Sequence, residues 1–370
     1  MEPIRVLQVV TTMDRAGLET MLMNYYRHMD RTKVQFDFLK HRDEPHAYDD
    51  EIRALGGRIY TVPAFNPLNT NGYLDALDSF FAEHREYRIV HSHLDCLSAV
   101  PLKYAKKHGI PTRVAHSHVS QMTFDAKYPI RVFYRAQIPA AATDLFACSD
   151  TAGQWMFGRR PYRVIPNAIA CKAFAHDEAL ADSLRKEQDL DGKFVVVHVG
   201  RFDPVKNHAF LIDVFQEIVK QHENSVLLLA GVGSLMDQIR EKVDACGLKE
   251  KVRFLGSVSD MPRLLQMADA FVFPSQYEGL GISLIEAQAA GLSCFASRGR
   301  VPADTNVTGT VQFLPLEDGP KIWADRILQA GMSSQVQTDH LQLLAQNGYD
   351  IDLEAEKLQN FYIQKYMEEI

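Results

Sequence analysis

The sequence predicts an α/β protein of two Rossmann-like βαβ domains in series, facing an interdomain cleft. Three observations carry this. At 370 residues, 46% hydrophobic and 24% charged, the chain is long enough for two or three domains, each burying its own core. Short β-branched runs alternate with amphipathic stretches from the first residues, the pattern of repeated βα units and a parallel sheet. The alternation then restarts after a polar stretch at 171–193.

In the first half, strands are expected at 4–10, 34–39, 58–62, 88–91, 113–116, 144–148 and 162–165. The segment 18–29 between the first two is a helix, because Leu18, Met21, Leu22, Tyr25 and Met29 recur at spacings of three and four. The second set of strands is 194–199, 226–230, 252–255, 270–273, 293–296 and 311–314. Runs such as Val195-Val196-Val197 lack polar alternation, as expected of strands covered on both faces. The boundaries are then 1–170, a linker 171–193, a second domain 194–350 and a final helix 351–370 that returns to the first domain. Leu353, Leu358, Phe361, Tyr362, Lys365 and Tyr366 mark that helix's packed face.

Composition excludes several classes of function. The five cysteines are odd in number, scattered and without a Cys-x-x-Cys, which argues against a disulfide framework or a cysteine zinc site. The start lacks the basic segment and apolar run of a signal peptide, and no apolar stretch nears the ~18 residues of a membrane helix. A cytoplasmic protein is expected, with peripheral attachment to the inner face of the cell membrane as a variant. The net charge of −7 is uneven: residues 1–175 carry 22 basic and 18 acidic side chains, residues 176–370 carry 18 and 29. The basic excess of the first half is too small to imply nucleic acid, but is compatible with acidic substrates or an anionic membrane surface.

The most informative stretch runs from Phe273 to Gly291 and reads as strand, glycine loop and helix. Gly279 and Gly281 let backbone approach a ligand, and the free N–H groups of Leu280, Ile282 and Ser283 at the helix start would face an anion. Glu278 lies in the loop and Glu286 two turns along, so one carboxylate sits at a pocket mouth and the other deeper. Either could accept hydrogen bonds from vicinal sugar hydroxyls, although residue types alone favour an exposed loop glutamate and a solvated helix glutamate. Arg201 and Lys206 follow the first strand of the second domain. A guanidinium and an ammonium there can bracket a diphosphate and stabilise it as it leaves.

These residues resemble the retaining glycosyltransferases of family 4, which have the GT-B fold. The match is Glu-x7-Glu between a Pro-Ser-x-x-Glu-Gly entry and an Ala-x-Ala-x-Gly exit, here Pro274, Ser275, Glu278, Gly279, Glu286, Ala287, Ala289 and Gly291, with Arg201 and Lys206 at the family's spacing. Ser293 departs from the family's proline. The resemblance extends to Leu229-Ala230-Gly231 and to Val258, which would line the nucleotide. It also reaches Gly17, where Ala16 replaces the first of two family glycines. It is an exopolysaccharide or capsule type of resemblance. It implies transfer of a hexose from a nucleoside diphosphate sugar, a UDP-sugar first and a GDP-sugar second, to a hydroxyl of a glycan or lipid-linked acceptor.

On the same resemblance, Glu278, Arg201, Lys206 and His118 are catalytic, and Gly17, Gly231, Val258, the 278–283 loop and Glu286 bind the donor. No metal or other cofactor is needed, since both Asp-x-Asp sequences, 189–191 and 350–352, lie in polar connections. His116 is the alternative to His118. The pairs His91/His93 and His116/His118 end two strands, and alternate strand residues share a face, so each pair is also half a metal site. For His91 and His93 the reading is structural, capping strand ends. Lys127, Arg131 and Arg135, among the aromatics of 121–135, would serve the acceptor or a membrane surface, though a packing helix with solvated arginines fits equally. A nucleotide-sugar epimerase of similar architecture and a non-catalytic nucleotide-sugar-binding protein are the rival functions.

Overall fold

The computed structural model describes residues 2–67, 69–119, 128–331 and 340–368. They form two units, residues up to Ile169 together with Gly348–Ile370, and Ala170–Asn347. The first unit holds strands β1 (Ile4–Val10), β2 (Val34–Lys40), β3 (Ile59–Thr61), β4 (Ile89–Ser92), β5 (Thr112–Ser117), β6 (Asp144–Ala147) and β7 (Arg163–Val164). They pair in parallel in the order β3-β2-β1-β4-β5-β6-β7. The second unit holds β8 (Phe194–Val199), β9 (Ser225–Ala230), β10 (Val252–Gly256), β11 (Ala270–Phe273), β12 (Ser293–Ser297) and β13 (Val311–Leu314), in the order β10-β9-β8-β11-β12-β13.

Both orders start in the middle of the sheet and reverse direction once, β1 beside β4 and β8 beside β11. Connections from the two neighbours leave to opposite sides, which opens a crevice at their carboxyl ends, the usual ligand position in open α/β sheets. The central strands are apolar because helices cover both faces. Val195, Val196 and Val197 are fully buried, as are Val6, Leu7, Val9 and Val10. One buried polar exception is Asp37 on β2, which accepts hydrogen bonds from the Arg5 guanidinium, the Tyr87 hydroxyl at 2.7 Å and the Arg58 backbone N–H at 2.6 Å.

One boundary differs from the sequence reading. The stretch 171–193 is no linker: it carries a helix, Glu178–Glu187, with Ala181 and Leu184 buried and Asp177 capping the Leu180 N–H at 3.0 Å. Arg185 ties this helix to the second unit through Asp269 at 3.1 Å and the Met267 carbonyl at 3.0 Å. Its polar composition reflects an amphipathic surface helix rather than an unpacked segment. The final helix, Ile351–Met367, belongs to the first unit, where Gln359 accepts from the Asp30 N–H at 2.7 Å and Lys365 meets Asp144 at 2.9 Å. Its packed face is Ile351, Ala355, Leu358 and Tyr362, spaced four, three and four, which turns Leu353 to solvent at 47% exposure.

Backbone of the loops after β8, β9 and β10 is laced together. Gly200 N–H donates to the Ala230 carbonyl at 2.9 Å and Gly231 N–H to the Gly256 carbonyl at 2.7 Å. Gly231 has φ +141°, and a Cβ there would lie 2.0 Å from the Gly200 carbonyl oxygen. Only glycine fits that approach. Gly279, by contrast, has an ordinary backbone with open space where a Cβ would go. Gly231→Ala should therefore destabilise the second unit by at least ~1–3 kcal/mol, the range for a forced backbone conformation, while Gly279→Ala leaves the melting temperature unchanged. Differential scanning calorimetry of the two variants checks this; equal melting temperatures would contradict it.

Candidate functional site

In the second unit the residues singled out by sequence gather at the β8/β11 crevice. After β8 comes a short 3-10 turn, Pro204–Lys206, whose start is capped by Asp203 accepting from the Lys206 N–H at 3.1 Å. The turn aims Lys206 back across the crevice. Its Nζ donates to Glu278 Oε1 at 2.6 Å and lies 4.7 Å from the centroid of the Phe273 ring at the end of β11. Lys206 and Glu278 side chains retain only 19% and 10% of their exposure, so this pair is largely desolvated. The loop is further pinned where Gln276 N–H donates to the Val205 carbonyl at 2.7 Å and Asn207 Nδ2 to the Pro274 carbonyl at 3.1 Å.

Gly281, at φ +74°, caps the following helix, Ile282–Ala289. Ser283 in its first turn donates to the Val199 carbonyl at 3.4 Å, which fastens the helix start beside the end of β8. Free N–H groups of that first turn and the helix dipole make it an anion-favouring position. Glu286 sits farther along the same helix, where burial pushes its carboxyl up to about 8. At neutral pH it is mostly protonated. Arg201 is exposed directly after β8, Val258 is half-buried beyond β10, and Gly231 lies in the laced loops already described.

The first unit concentrates its chemistry at the carboxyl ends of β4 and β5. His91 and His93 share one face with His116 and His118 of the neighbouring strand, and the four rings stack in one cluster. His91 Nε2 meets His116 Nδ1 at 3.1 Å, and His93 Nδ1 meets His118 Nε2 at 3.0 Å. The far nitrogens are held too: His91 Nδ1 by the Tyr362 hydroxyl at 2.7 Å, His93 Nε2 by Gln8 Oε1 at 2.9 Å. Burial pushes His118 down to about 3 and His91, His93 and His116 well below the usual histidine range, so the cluster is neutral.

His91, His93 and His116 are fully buried, while His118 is half-buried and alone of the four reaches the surface. His91 and His93 are structural, as expected, and are held at the end of β4 by bonds to Tyr362 and His116 and to Gln8 and His118. Asp95, at φ +49°, orders that end by accepting from the His118 backbone N–H at 2.8 Å, and burial raises its carboxyl to about 6. One ligand nitrogen from each of His91, His93 and His116 lies within 4.8 Å of the others, the one grouping among the described residues that a metal ion could use. Of the nitrogens in these three rings, His116 Nε2 is buried without a hydrogen-bond partner, whereas both nitrogens of His91 and of His93 are engaged.

Other sequence candidates are more dispersed. Gly17 is exposed at the first turn of the helix Gly17–His28, after Ala16. Lys127, with the rest of 120–127, lies outside the described residues. Arg131 and Arg135 lie on the helix Tyr128–Ala141, and Arg135 is engaged internally, donating to the Met156 carbonyl at 3.0 Å with its guanidinium 4.8 Å from the Trp155 ring centroid. The same helix leaves Phe133 62% exposed. Gln8, Tyr362 and Asp95 are site residues that sequence reasoning missed. Gln8 alone carried a signal, as a polar residue inside the apolar run of β1. No helix of the described residues is long and apolar enough to cross a membrane.

Residues 181–338 match the family model for glycosyl transferases group 1. The chain is 36% identical to "Putative glycosyltransferase EpsF" of Bacillus subtilis (strain 168), over 97% of this chain and 96% of the relative. It is 23% identical to the capsular polysaccharide biosynthesis glycosyltransferase CapH of Staphylococcus aureus, over 98% and 99%. Among solved structures, Anabaena Alr3699/HepE in complex with UDP and glucose superposes with a TM-score of 0.78 at 17% identity, over 98% of this chain and 100% of that one. WaaG, a glycosyltransferase involved in lipopolysaccharide biosynthesis, superposes with a TM-score of 0.71 at 14% identity, over 97% and 99%. These likenesses, with the two parallel sheets, give the fold as GT-B, and the full-length kinship gives the family: the chain belongs to the group 1 glycosyltransferases.

Proposed function

We propose that the protein moves a hexose from a nucleoside diphosphate sugar, a UDP-sugar in preference to a GDP-sugar, onto a hydroxyl of a glycan or lipid-linked acceptor with retention, as a family 4 enzyme. The observation that carries this is the desolvated Lys206–Glu278 pair at the β8/β11 crevice, with Arg201 in the same loop after β8 and the helix Ile282–Ala289 starting after the Glu278 loop. A diphosphate is the ligand that matches a lysine, an arginine and helix N–H groups together. The UDP bound to HepE and the capsule pathway in the name of CapH support the donor class and a role in polysaccharide synthesis. Work at the cytoplasmic face of the membrane fits a lipid-linked acceptor, and Arg131 and the exposed Phe133 suit such a surface.

In this reading Lys206 exchanges Glu278 for the diphosphate, which frees the Glu278 carboxylate for hexose hydroxyls. Glu286 takes the ribose hydroxyls. The bond from the anomeric carbon to the phosphate oxygen breaks as the acceptor oxygen bonds to that carbon on the same face. The acceptor proton passes to the departing phosphate. Arg201, Lys206 and the helix N–H groups stabilise the charge that develops there, so the step requires no metal. His118, neutral and at the surface end of its cluster, hydrogen-bonds a hydroxyl of the hexose without adding a competing charge.

Glu286 supplies the test. Ribose hydroxyls donate, so they bind the ionised carboxylate, and with its value at about 8 the competent fraction rises from roughly a tenth at pH 7 to nine-tenths at pH 9. UDP affinity by calorimetry in EDTA should therefore tighten about tenfold over that range. The free protein should lose stability over the same rise, because the folded state holds a proton that the unfolded chain has released. Glu286→Ala should weaken UDP by roughly 10–150-fold, as for loss of a charge-assisted bond of ~1.5–3 kcal/mol, and abolish the pH dependence. Binding that needs added manganese, or wild-type affinity in Glu286→Ala, would overturn the proposal.

A further inference from the structure

The histidine cluster has a direction that its hydrogen bonds define. A neutral imidazole has one N–H and one lone pair, so each ring in a chain of hydrogen bonds fixes the tautomer of the next. Gln8 sits fully buried in the middle of β1, and the atom it turns to His93 Nε2, at 2.9 Å, is its carbonyl oxygen, which can only accept. His93 therefore carries its proton on Nε2 and a lone pair on Nδ1. His118 Nε2, 3.0 Å away, must donate to that lone pair. The lone pair of His118 is left on Nδ1, the nitrogen not used inside the cluster.

We propose that Gln8 and His93 are positioning residues that hold His118 as the Nε2–H tautomer, so that His118 Nδ1 accepts a hydrogen bond from a substrate hydroxyl rather than donating one. This rests on the assignment of His118 to the transferred hexose. It adds a constraint on that substrate: the group facing His118 is a hydroxyl acting as donor, and a sugar bearing an ether or a carbonyl oxygen at that position is rejected, because two lone pairs would face each other. The pairing spans 85 residues of sequence between Gln8 and His93, so the device exists only in the folded first unit. Asp95, on the His118 backbone N–H, holds the loop but leaves the ring nitrogens to this relay.

The relay is read directly by long-range proton–nitrogen correlation on the full chain labelled with nitrogen-15 histidine, at pH 7, with His118→Ala to assign the His118 signals. Wild type should show His118 protonated on Nε2. Gln8→Leu leaves His93 Nε2–H buried without an acceptor, which costs more than a bare lone pair, so both rings should switch to Nδ1–H. Turnover with a UDP-hexose should then fall about tenfold with UDP affinity unchanged. A His118 proton on Nδ1 in the wild type, His118 still on Nε2–H in Gln8→Leu, or full turnover in a switched Gln8→Leu would each overturn the proposal. Correct tautomers with no transfer by the wild type from any UDP-hexose would instead remove the functional reading on which the substrate role of the relay stands.

Discussion

The ion pair of Lys206 and Glu278 joins the two loops whose separation defines the crevice of the second unit. Lys206 follows β8, whose connection runs to β9, and Glu278 follows β11, whose connection runs to β12 on the other side. Two hydrogen bonds, Gln276 N–H to the Val205 carbonyl and Asn207 Nδ2 to the Pro274 carbonyl, tie the same loops, and the ion pair adds a side-chain link at the crevice itself. With both side chains largely desolvated, removing either partner would leave the other charged and uncompensated, a situation that costs about 3–5 kcal/mol in buried pairs. The pair therefore adds to these ties and at the same time prepares the crevice for exchange. A diphosphate satisfies Lys206 better than one carboxylate does, and the released Glu278 becomes an acceptor for hydroxyls.

Neutrality governs the first unit in the same way that charge governs the second. Four imidazoles packed on one face of a parallel sheet cannot all be ionised, and burial removes the charge from each. What remains is two hydrogen-bonded chains whose rings pack against each other, Tyr362–His91–His116 and Gln8–His93–His118. The Tyr362 hydroxyl, supplied by the final helix, holds the His91–His116 chain, so the last turns of the chain bear on the placement of residues far earlier in sequence. This gives a physical reason for the chain to return its C-terminal helix to the first unit.

Much of this was legible in the sequence. The strands read correctly because parallel strands covered on both faces are short apolar runs between turn residues, and the Glu278–Glu286 motif read correctly as a loop and helix because Gly279 and Gly281 mark its entry. The Lys206–Glu278 contact did not, since each residue was assigned its own ligand group and nothing in the spacing shows that they meet across 72 residues. The cluster escaped for the same reason: Gln8 to His93, and His91 to Tyr362, are pairings of β1 and the final helix with β4 that only tertiary structure makes. Leu353 was assigned to a packed face because it is apolar, whereas the spacing of Ile351, Ala355, Leu358 and Tyr362 sets the face elsewhere. The 171–193 segment reads as a linker because its polar side chains outnumber the two buried apolar residues that anchor its helix.

The central claim is that Lys206 belongs to the diphosphate and Glu278 to the hexose, although the two are paired in the free protein. Calorimetry of UDP and of an intact UDP-hexose with Lys206→Ala and Glu278→Ala separates these roles. Lys206→Ala should weaken both ligands by a similar factor. Glu278→Ala should leave UDP binding unchanged or tighter, because Lys206 no longer has to give up a partner, and should remove whatever extra affinity the intact sugar nucleotide has over UDP. A Glu278→Ala variant that loses UDP itself as severely as Lys206→Ala, or a Lys206→Ala variant that binds UDP normally, would contradict the account.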